Sequence, residues 1–461
     1  MWKDYREVLE KECLERAQEL YGIELPEIVH KRIEEELSLI DTRKSSEIFI
    51  ILSRVFRTIG LKPCDYYISD RIGASFVAYL LGINGDINPL KPHYRCDSCK
   101  NSIFDVSKKV KIGLDLPPKV CPKCGKNYIR DGYDIKSCWF YGGAEEWWFS
   151  VNYYMPNHMK TNFFAALKEM TDIRGVINGN ASLTRRNSKN INLNDSIELL
   201  DNSSCSAIEE GEKEKIGALL REYLDKGHNV RNGTILLFPN RISNSNEFVR
   251  IIFSDFNELC DGLVLLYEWL AKESIGNHDC ITDFTLQRNF VISDALNKKW
   301  DMPVIHMLFD RYLTGKEIMV YYEVENFYDF LRVVGLGLFP WKYNGGDLLI
   351  KGVVGKDELL CFRDDIMDYL LDLGFNEEKS YKYAYDIVLG KGFSEEQEEE
   401  LRLQGAEEWF IEDCNDNRFR FSKSACVSIA KLMWKLLYYG CYVDEGALYQ
   451  AFKKKDFILE A

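Results

Sequence analysis

The chain has 461 residues, of which 46% are hydrophobic, 29% charged and 13% aromatic. This composition is typical of a folded globular protein with apolar material for two or three domains, and it excludes a low-complexity chain. The net charge of −14 and the pI near 5.2 exclude an overall basic field that would attract nucleic acid, although they leave room for a local basic groove.

Cysteine usage and hydropathy predict the compartment. No apolar run approaches the roughly 18 residues that span a bilayer, and the opening segment MWKDYREVLEKECLERAQEL is charged and amphipathic, unlike a signal peptide. Fourteen cysteines in such a chain favour a reducing compartment, where they serve as thiols or metal ligands. We therefore expect a cytoplasmic protein with no membrane partner.

Residues 1–60 predict helices that lead into a core domain. Apolar residues recur at helical spacing through 5–21, and LPEIVHKRIEEELSLI begins a second helix with Pro26 in its first turn. The run IFIILSRVF fits either a buried helix or a buried strand. The next segment, RIGASFVAYLLGI, predicts a turn and then a helix that ends near Gly82.

Residues 61–272 predict a mixed region of helices and strands. A compact insert around four cysteines occupies 94–128, and aromatic, strand-like segments followed by a helix occupy 129–170. Residues 175–212 are rich in Asn, Ser and Gly with little periodicity, which predicts a long surface excursion or a disordered tip. GTILLFP and FVRIIFSDF then predict strands.

Residues 273–461 predict a largely helical lobe. KDELLCFRDDIMDYLLDLG ends at a C-cap glycine, Gly374. Ser394 and Gln397 have capping-box spacing at the start of an acidic run, so this run predicts a solvated helix face. SACVSIAKLMWKLLYYG predicts a buried or partner-facing helix. The fold class expected from these patterns is α+β, followed by helices.

The most specific motif is a pair of Cys-x-x-Cys turns. Cys96 and Cys99 form the first pair, Cys121 and Cys124 form the second, and 21 residues separate them, slightly beyond the usual window. Each pair lies in a knuckle-like turn that lets both sulfurs face one ion. Four thiolates complete a tetrahedral zinc site and leave no open position, so we predict a structural zinc. The alternative is four unliganded thiols.

With its flanks, this motif resembles a zinc-bearing segment of the PolC-type DNA polymerase III alpha subunit, a bacterial replicative polymerase. The chain reads NPLKPHYRCDSC, LDLPPKVCPKCG and DGYDI, and the family reads N-P-L-P-P-H-Y-x-C-P-x-C, F-D-L-P-x-K-x-C-P-x-C-G and D-G-H-D-I. CFRDDIMDYLL, VLGKGFSEEQEEELRLQGAEEWFIEDC and FRFSKSACVSIA extend the similarity, which fades only around 170–220.

The resemblance implies a polymerase-beta-like nucleotidyltransferase palm with a zinc-ribbon insert, followed by a helical fingers-like lobe. It further implies a palm and thumb-like region over 61–272 and the fingers-like lobe over 273–461. No segment resembles the family's PHP domain, its proofreading exonuclease or its clamp-binding and duplex-binding parts. The expectation is therefore a polymerase core alone.

The resemblance also bears on catalysis, because the family transfers phosphoryl groups with two metal ions held by three aspartates. Aligned through Asn152, the family motif P-D-I-D-L-N-F places its two aspartates at Trp148 and Ser150. A gapless match to SDFNELCDGLVLLY places the third at Tyr267. The resemblance thus implies that all three carboxylate ligands are replaced.

The segments that align with the family's nucleotide-binding motifs have also lost several of the family's residues. The phosphate-cradling loop G-S-R-G-S-V-G-S-S reads SDRIGAS, with Asp70 and Arg71 at a Gly-Ser pair. The fingers motif R-K-G-K-G reads VLGKG and keeps Lys391, whereas F-P-K-A-H-A-A-A-Y reads FSKSACVSI and keeps Lys423. Arg71, Lys391 and Lys423 are the residual nucleotide-site positions that the resemblance implies.

Isolated cysteines and histidines are interpreted as structural. Cys13, Cys260 and Cys426 lie singly in apolar segments, where a free cysteine acts as a small core residue. In the resemblance, His93 belongs to the P-H-Y stretch and is expected to pack beside the zinc ribbon. His228 has no evident nucleophile or metal partner.

Three functions follow from these observations. The favoured one is a catalytically inactive pseudo-polymerase that binds a replication protein, an active polymerase or DNA, and the acidic charge favours a protein partner. The second is an active nucleotidyltransferase whose metal ligands have moved to neighbouring acids, which are Glu145, Glu146, Asp255, Asp261 and Glu268. The third is a structural subunit that docks on an active homologue.

Overall fold

The structure is a computed structural model. It describes residues 5–42, 45–62, 66–68, 71–142, 153–154, 162–163, 165–166, 176–178, 233–239, 248–254, 322, 324–337, 345–416 and 420–442.

Helices flank short strands in the first part of the chain. The helices are α1 (Tyr5–Tyr21), α2 (Glu27–Thr42), α3 (Ser46–Thr58), α4 (Phe76–Leu80) and α5 (Cys138–Tyr141), with 3-10 turns at Arg71–Ala74 and Gly113–Asp115. The strands are β1 (Tyr67–Ile68), β2 (His93–Arg95), β3 (Ser102–Ile103), β4 (Ile129–Asp131), β5 (Tyr153–Tyr154), β6 (Val176–Asn178), β7 (Gly233–Pro239) and β8 (Phe248–Ser254).

The described elements after residue 320 are helical. They are α6 (Phe327–Gly337), α7 (Gly346–Ile350), α8 (Arg363–Asp372), α9 (Glu377–Val388), α10 (Glu395–Leu403), α11 (Glu408–Asn415) and α12 (Lys423–Tyr442). Among the helices that the structure describes, none is long and apolar enough to cross a membrane.

The described strands form three small antiparallel sheets. Strand β1 pairs with β5, the order in the second sheet is β3-β2-β4, and the order in the third is β6-β7-β8. Helices and separate antiparallel sheets together confirm the α+β class. The predicted strands GTILLFP and FVRIIFSDF are confirmed as β7 and β8.

Strand-like segments predicted within 129–170 are confirmed at β4 and β5, and the helical turn α5 lies between them. One detail of the predicted secondary structure needs correction. The segment 175–212 was expected to lack regular structure, but its residues Val176–Asn178 form β6, which is held by hydrogen bonds to β7. The other residues of 175–212 lie outside the described part of the chain.

The ambiguous run IFIILSRVF is helical and forms most of α3. Helix α3 has 13 residues, longer than most strands, and nine of them are buried. Inside this core, the Ser53 hydroxyl donates to the carbonyl of Leu81 at 3.1 Å. The run by itself contains one charged residue, Arg54, and shows no clear period; the polar face of α3 becomes evident only when Glu47, Arg57 and Thr58 are included.

Caps define the helix ends in the second half of the chain. Ser394 Oγ accepts a hydrogen bond from the Gln397 amide, and the Gln397 side chain accepts one from the Ser394 amide, which confirms the predicted capping box. Helix α8 stops just before Gly374, whose φ of 96° suits glycine at this position. Both ends were therefore readable from local sequence.

One hydrophobic core joins elements from both ends of the described chain. It includes Leu9 of α1, Phe49 of α3, Phe330 of α6 and Met433 of α12. Across this core, the amide of Ile68 in β1 donates to Ser428 Oγ in α12 at 2.9 Å. The predicted boundaries at 60 and 272 stay predictions, and the core contains residues from before the first and after the second.

A second, much smaller core lies under the four cysteines. Its buried residues are Tyr94, Cys96, Leu116, Cys121 and Tyr128. We call residues 94–128, which surround this core, the cysteine module. A core of this size supplies little burial free energy, so the module is expected to depend on an additional constraint.

Candidate functional site

The two Cys-x-x-Cys segments of the cysteine module fold into equivalent turns. In each turn, the amide of the first cysteine donates to the carbonyl five residues later, and its carbonyl accepts from the amide four residues later. The residue after the second cysteine is left-handed in both turns, with φ of 60° at Lys100 and 73° at Gly125. Glycine adopts this conformation without strain at Gly125, whereas nothing in the sequence indicates it for Lys100.

These turns bring the four thiols together. Cys96 Sγ lies 3.3 Å from Cys124 Sγ, and Cys99 Sγ lies 3.5 Å from Cys121 Sγ. All four sulfurs lie within 4.8 Å of one another. Zinc–sulfur bonds of about 2.3 Å place the sulfurs of a tetrahedral site about 3.8 Å apart. The four thiols therefore fit one zinc ion with modest adjustment.

Hydrogen bonding favours the thiolate form at the buried end of this site. Burial raises the pKa of Cys121, but hydrogen bonds from the Tyr128 hydroxyl and from the amides of Lys123 and Cys124 outweigh it and lower the pKa to about 6. Cys96 and Cys121 are buried, whereas Cys99 and Cys124 are exposed. Within the described part of the chain, these cysteines are the one cluster of metal-ligand side chains close enough to share an ion.

A partly buried carboxylate connects the module to the C-terminal helices. Asp115, in the second 3-10 turn, accepts hydrogen bonds from the amides of Phe327 (3.0 Å) and Tyr328 (2.9 Å) at the start of α6. Burial raises the pKa of Asp115 to about 6. Gly113 permits this turn, because a Cβ there would overlap the backbone of Asp131.

His93 anchors the module to α1. Its ring stacks on Phe104 at 4.3 Å, its Nε2 lies 3.1 Å from the Tyr21 hydroxyl, and its Nδ1 lies 2.7 Å from the carbonyl of Lys91. Burial lowers the pKa of His93, which favours the neutral ring. The packing predicted for His93 is therefore confirmed.

The three positions aligned with catalytic aspartates, Trp148, Ser150 and Tyr267, lie outside the described residues. The prediction that they converge on one face of a sheet stays a prediction. The segment EEWWFSVNYY is described only at its end, where Tyr153 pairs with Ile68 across β5 and β1. The buried Tyr153 hydroxyl donates to the carbonyl of Ile83 at 2.8 Å.

Lys423 is buried at the start of α12, where it was expected to mark a nucleotide site. Only 6% of its surface is exposed. Its Nζ donates to the carbonyl of Asp134 at 3.2 Å and lies 5.7 Å from the centre of the Tyr328 ring. Its amide donates to Asp364 Oδ2 at 2.8 Å. The ammonium group is therefore directed into the protein's own contacts.

Arg71 and Lys391 have different surroundings. Burial raises the pKa of Tyr381 to about 12, and the nearby charge of Arg71 opposes that rise, which places Arg71 close to α9. Lys391 is exposed, and its Nζ lies 2.7 Å from Asp386 Oδ1. Arg71, Lys391 and Lys423 therefore have different neighbours.

Sequence reasoning missed Glu36, which is fully buried in α2. Its carboxylate accepts hydrogen bonds from four groups, which are the amides of Phe76 (2.8 Å) and Val77 (3.0 Å) and the hydroxyls of Ser75 and Tyr141 (2.9 Å each). Arg32 Nε lies 2.6 Å from it. Glu36 therefore holds the turn that aligns with the family's phosphate loop. The available signal was its place between Ile33 and Ile40 on an apolar stripe.

Comparisons with known proteins agree with these motifs. The model of the bacterial DNA polymerase III alpha NTPase domain matches residues 7–107. The PolC-type DNA polymerase III of Caldanaerobacter subterraneus subsp. tengcongensis is 26% identical over 98% of this chain and 34% of its own length. That of Thermotoga petrophila is 25% identical over 94% of this chain and 34% of its own length.

The corresponding protein of Bacillus cereus is 26% identical over 92% of this chain and 32% of its own length. The chain thus spans about a third of the length of these curated relatives. The resemblance predicted from the motifs is confirmed: the chain is similar, over nearly all of its residues, to PolC-type DNA polymerase III alpha subunits.

Proposed function

We propose that this chain is a PolC-like pseudo-polymerase, which keeps a palm-and-fingers scaffold and acts by binding rather than by nucleotide transfer. The observation that carries the proposal is the identity of the residues aligned with the three metal-binding aspartates, Trp148, Ser150 and Tyr267. Two-metal catalysis needs hard oxygen ligands that bridge both ions. Neither an indole nor a phenol supplies a carboxylate, and one serine hydroxyl does not hold two dications.

The surroundings of the residual nucleotide positions support the same proposal. A triphosphate site needs cationic side chains and free amides that face the ligand. The Lys423 ammonium donates to a carbonyl of the chain, Lys391 forms an ion pair with Asp386, and Glu36 accepts from the amides at the start of α4. These groups are engaged within the protein.

The proposed cofactor is one structural zinc ion held by Cys96, Cys99, Cys121 and Cys124. Bound there, zinc would supply a crosslink between the two cysteine turns and no open coordination position. The small core of the module supports this role, because such cores commonly require a metal to fold.

The proposed setting is the bacterial cytoplasm, with a protein of the replication machinery, an active polymerase or DNA as the partner. The names of the relatives support a connection with replication. A protein that binds without extending a primer would occupy or occlude a site that an active enzyme uses. A structural subunit that docks on an active homologue is a related form of this proposal.

Primer extension tests the loss of catalysis. We expect the purified chain to extend no primer on a template with either Mg²⁺ or Mn²⁺. Template-dependent extension would contradict the proposal and favour an enzyme with relocated metal ligands. Because contaminating polymerases extend primers, the E145Q/E146Q variant, purified identically, is the control: a contaminant would extend equally in both preparations, whereas relocated ligands at Glu145 and Glu146 would be lost in the variant.

Restoring the carboxylates tests the alignment itself. The W148D/S150D/Y267D variant is expected to bind Mn²⁺ at least about tenfold more tightly than the parent chain, because three converging carboxylates form a dication site. Titration followed by Mn²⁺ paramagnetic resonance measures this binding. A matched variant, Q18D/T58D/Q404D, introduces three aspartates at exposed positions elsewhere; equal Mn²⁺ binding by the two variants would show that the alignment is wrong.

A further inference from the structure

Charge is distributed unevenly along this acidic chain. The cysteine module, 94–128, contains eight Lys or Arg residues and three Asp residues, so it carries +5 with neutral cysteines. The rest of the chain therefore carries −19. A zinc ion with four thiolates would add −2 and leave the module at +3. The one strongly basic body in the described structure is thus this small module.

Six lysines of the module are exposed, and we call them the lysine surface. They are Lys108, Lys109, Lys111, Lys119, Lys123 and Lys126. Three of them belong to the second cysteine turn, which the Val120–Asn127 bridge closes. The other three flank Val110, which packs against the module's core together with Val106. Both groups are therefore carried by one compact body.

The lysine surface is not neutralised by the protein. Among the described residues, none of its six ammonium groups makes an ion pair, although Lys119 Nζ lies 5.3 Å from the centre of the Tyr94 ring. Two acidic residues of the module are used elsewhere: Asp97 pairs with Arg95 and Lys100, and Asp115 binds α6. The positive charges of this surface consequently face solvent.

We propose that the lysine surface binds the phosphate backbone of nucleic acid without reading its bases. This inference rests on the proposed binding function and names its ligand class. Lysine ammonium groups are compact charges that neutralise phosphates and release counterions. The aromatic residues of the module are engaged internally, because Tyr94 and Tyr128 are buried and Phe104 stacks on His93. No described aromatic of the module is therefore presented for base stacking.

The same surface fits a protein partner less well. Protein interfaces usually have an apolar or aromatic centre surrounded by a polar rim. Within the described module, the exposed large hydrophobic residue is Val120, which is 55% exposed. A repeated polyanion needs only distributed positive charge, which this surface provides. The −19 carried by the rest of the chain would repel the polyanion and confine contact to the module.

The test compares two variants of the full-length, zinc-loaded protein that lose the same charge. K119Q/K123Q/K126Q removes half of the lysine surface, and K11Q/K31Q/K382Q removes three exposed lysines outside the module. Fluorescence anisotropy with a 5′-fluorescein primer–template at several salt concentrations gives Kd and its salt dependence. Equal zinc content and equal melting temperature establish that both variants are folded.

We expect the module variant to raise Kd at least about tenfold at 50 mM salt and to reduce the slope of log Kd against log salt by about 2.7, from loss of three phosphate contacts. The control variant should stay within about twofold of the parent. The parent should bind labelled dA and dT oligonucleotides of equal length within about threefold, as expected for backbone contacts alone.

Several results would overturn the proposal. An equal loss of DNA affinity in both variants would mean that net charge alone matters. Unchanged DNA affinity of the module variant would show that Lys119, Lys123 and Lys126 do not contact DNA. Lysine-dependent binding of labelled polyglutamate, without binding of DNA, would assign the surface to an acidic protein. Primer extension in parallel keeps the two proposals separate, because an extending parent contradicts the pseudo-polymerase while leaving the lysine comparison valid.

Discussion

At the scale of single residues, Glu36 shows how a buried charge organises a loop. Its side chain is removed from water, but each oxygen accepts hydrogen bonds and Arg32 supplies the opposite charge. A buried ion pair of this kind need not exceed a hydrophobic pair in stability, but loss of one partner leaves the other uncompensated. The turn before α4 therefore depends on Glu36.

Glu36→Gln is expected to lower the free energy of unfolding by about 3 kcal/mol, because it leaves Arg32 buried without its counter-charge and replaces one acceptor by a donor. Urea unfolding followed by circular dichroism measures this change. Glu34→Gln, in the same helix but exposed beside His30, is the matched control and should change stability by less than about 0.5 kcal/mol. Equal effects of the two substitutions would contradict the role of Glu36.

Lys100 provides a second test at this scale, because it adopts a left-handed conformation that glycine adopts without strain. Lys100→Gly should strengthen zinc binding by about two- to fivefold, equivalent to about 0.5–1 kcal/mol. Gly125→Lys, at the equivalent position and with open space around its Cα, should weaken it by a similar factor. Chelator competition measures both, and changes in the same direction would refute this explanation.

At the scale of elements, Asp115 joins the second 3-10 turn to helix α6. Its carboxylate accepts two amide hydrogen bonds at a helix N-terminus, where negative charge is favoured, yet burial raises its pKa to about 6. The folded state consequently binds a proton more tightly than the unfolded state does. Stability from this group is therefore greatest in acid and falls as pH rises from about 4 to about 6.

Asp115→Asn tests whether this contribution to stability falls as pH rises, because the side-chain amide keeps an acceptor and does not titrate. The unfolding free energy of the parent minus that of the variant should fall by about 2.4 kcal/mol between pH 4 and pH 7. Urea unfolding across this pH range gives the difference in unfolding free energy. Any effect of zinc release on stability is common to both proteins and cancels in this difference. Asp105→Asn, an exposed substitution in the same module, is the control. A difference that rises with pH would contradict the assignment.

The described helices also show which local signals were sufficient. The capping box of Ser394 and Gln397 and the glycine after α8 were predicted because each depends on neighbours three or four residues away. The helical state of α3 was left open, because the short run IFIILSRVF contains one charged residue and its period becomes clear only with the polar residues that flank it. The strand Val176–Asn178 was missed, because its pairing partner lies far along the chain.

At the scale of the whole molecule, the cysteine module has a small core of its own and also packs on the large core. Ile112 of the module is buried in the large core, and Phe104 and Leu114 pack against it, whereas the five buried residues under the cysteines form the small core. His93 and Asp115 are two of the joining contacts. The zinc ion is thus expected to determine the order of the module more than that of the remaining chain.

Zinc removal should therefore act locally. After chelation, we expect hydrogen exchange to accelerate at least about tenfold in 94–128 and at the start of α6, because loss of the metal releases the turn that carries Asp115. Exchange in α3 and α12 should change little. Mass spectrometry of hydrogen exchange measures all these segments together, and uniform acceleration throughout the chain would show that the metal instead supports the whole core.

The four-cysteine motif, the principal helix ends and the PolC-like resemblance could be predicted from the amino-acid sequence, because these signals are carried by residues close together in the chain or by long shared motifs. The partners of Glu36, Asp115 and Lys423 became evident only in the folded structure. The partners of Glu36 lie 40 residues away in α4, and those of Asp115 lie 212 residues away in α6. Burial and hydrogen bonding over such separations arise from packing, which no local pattern specifies.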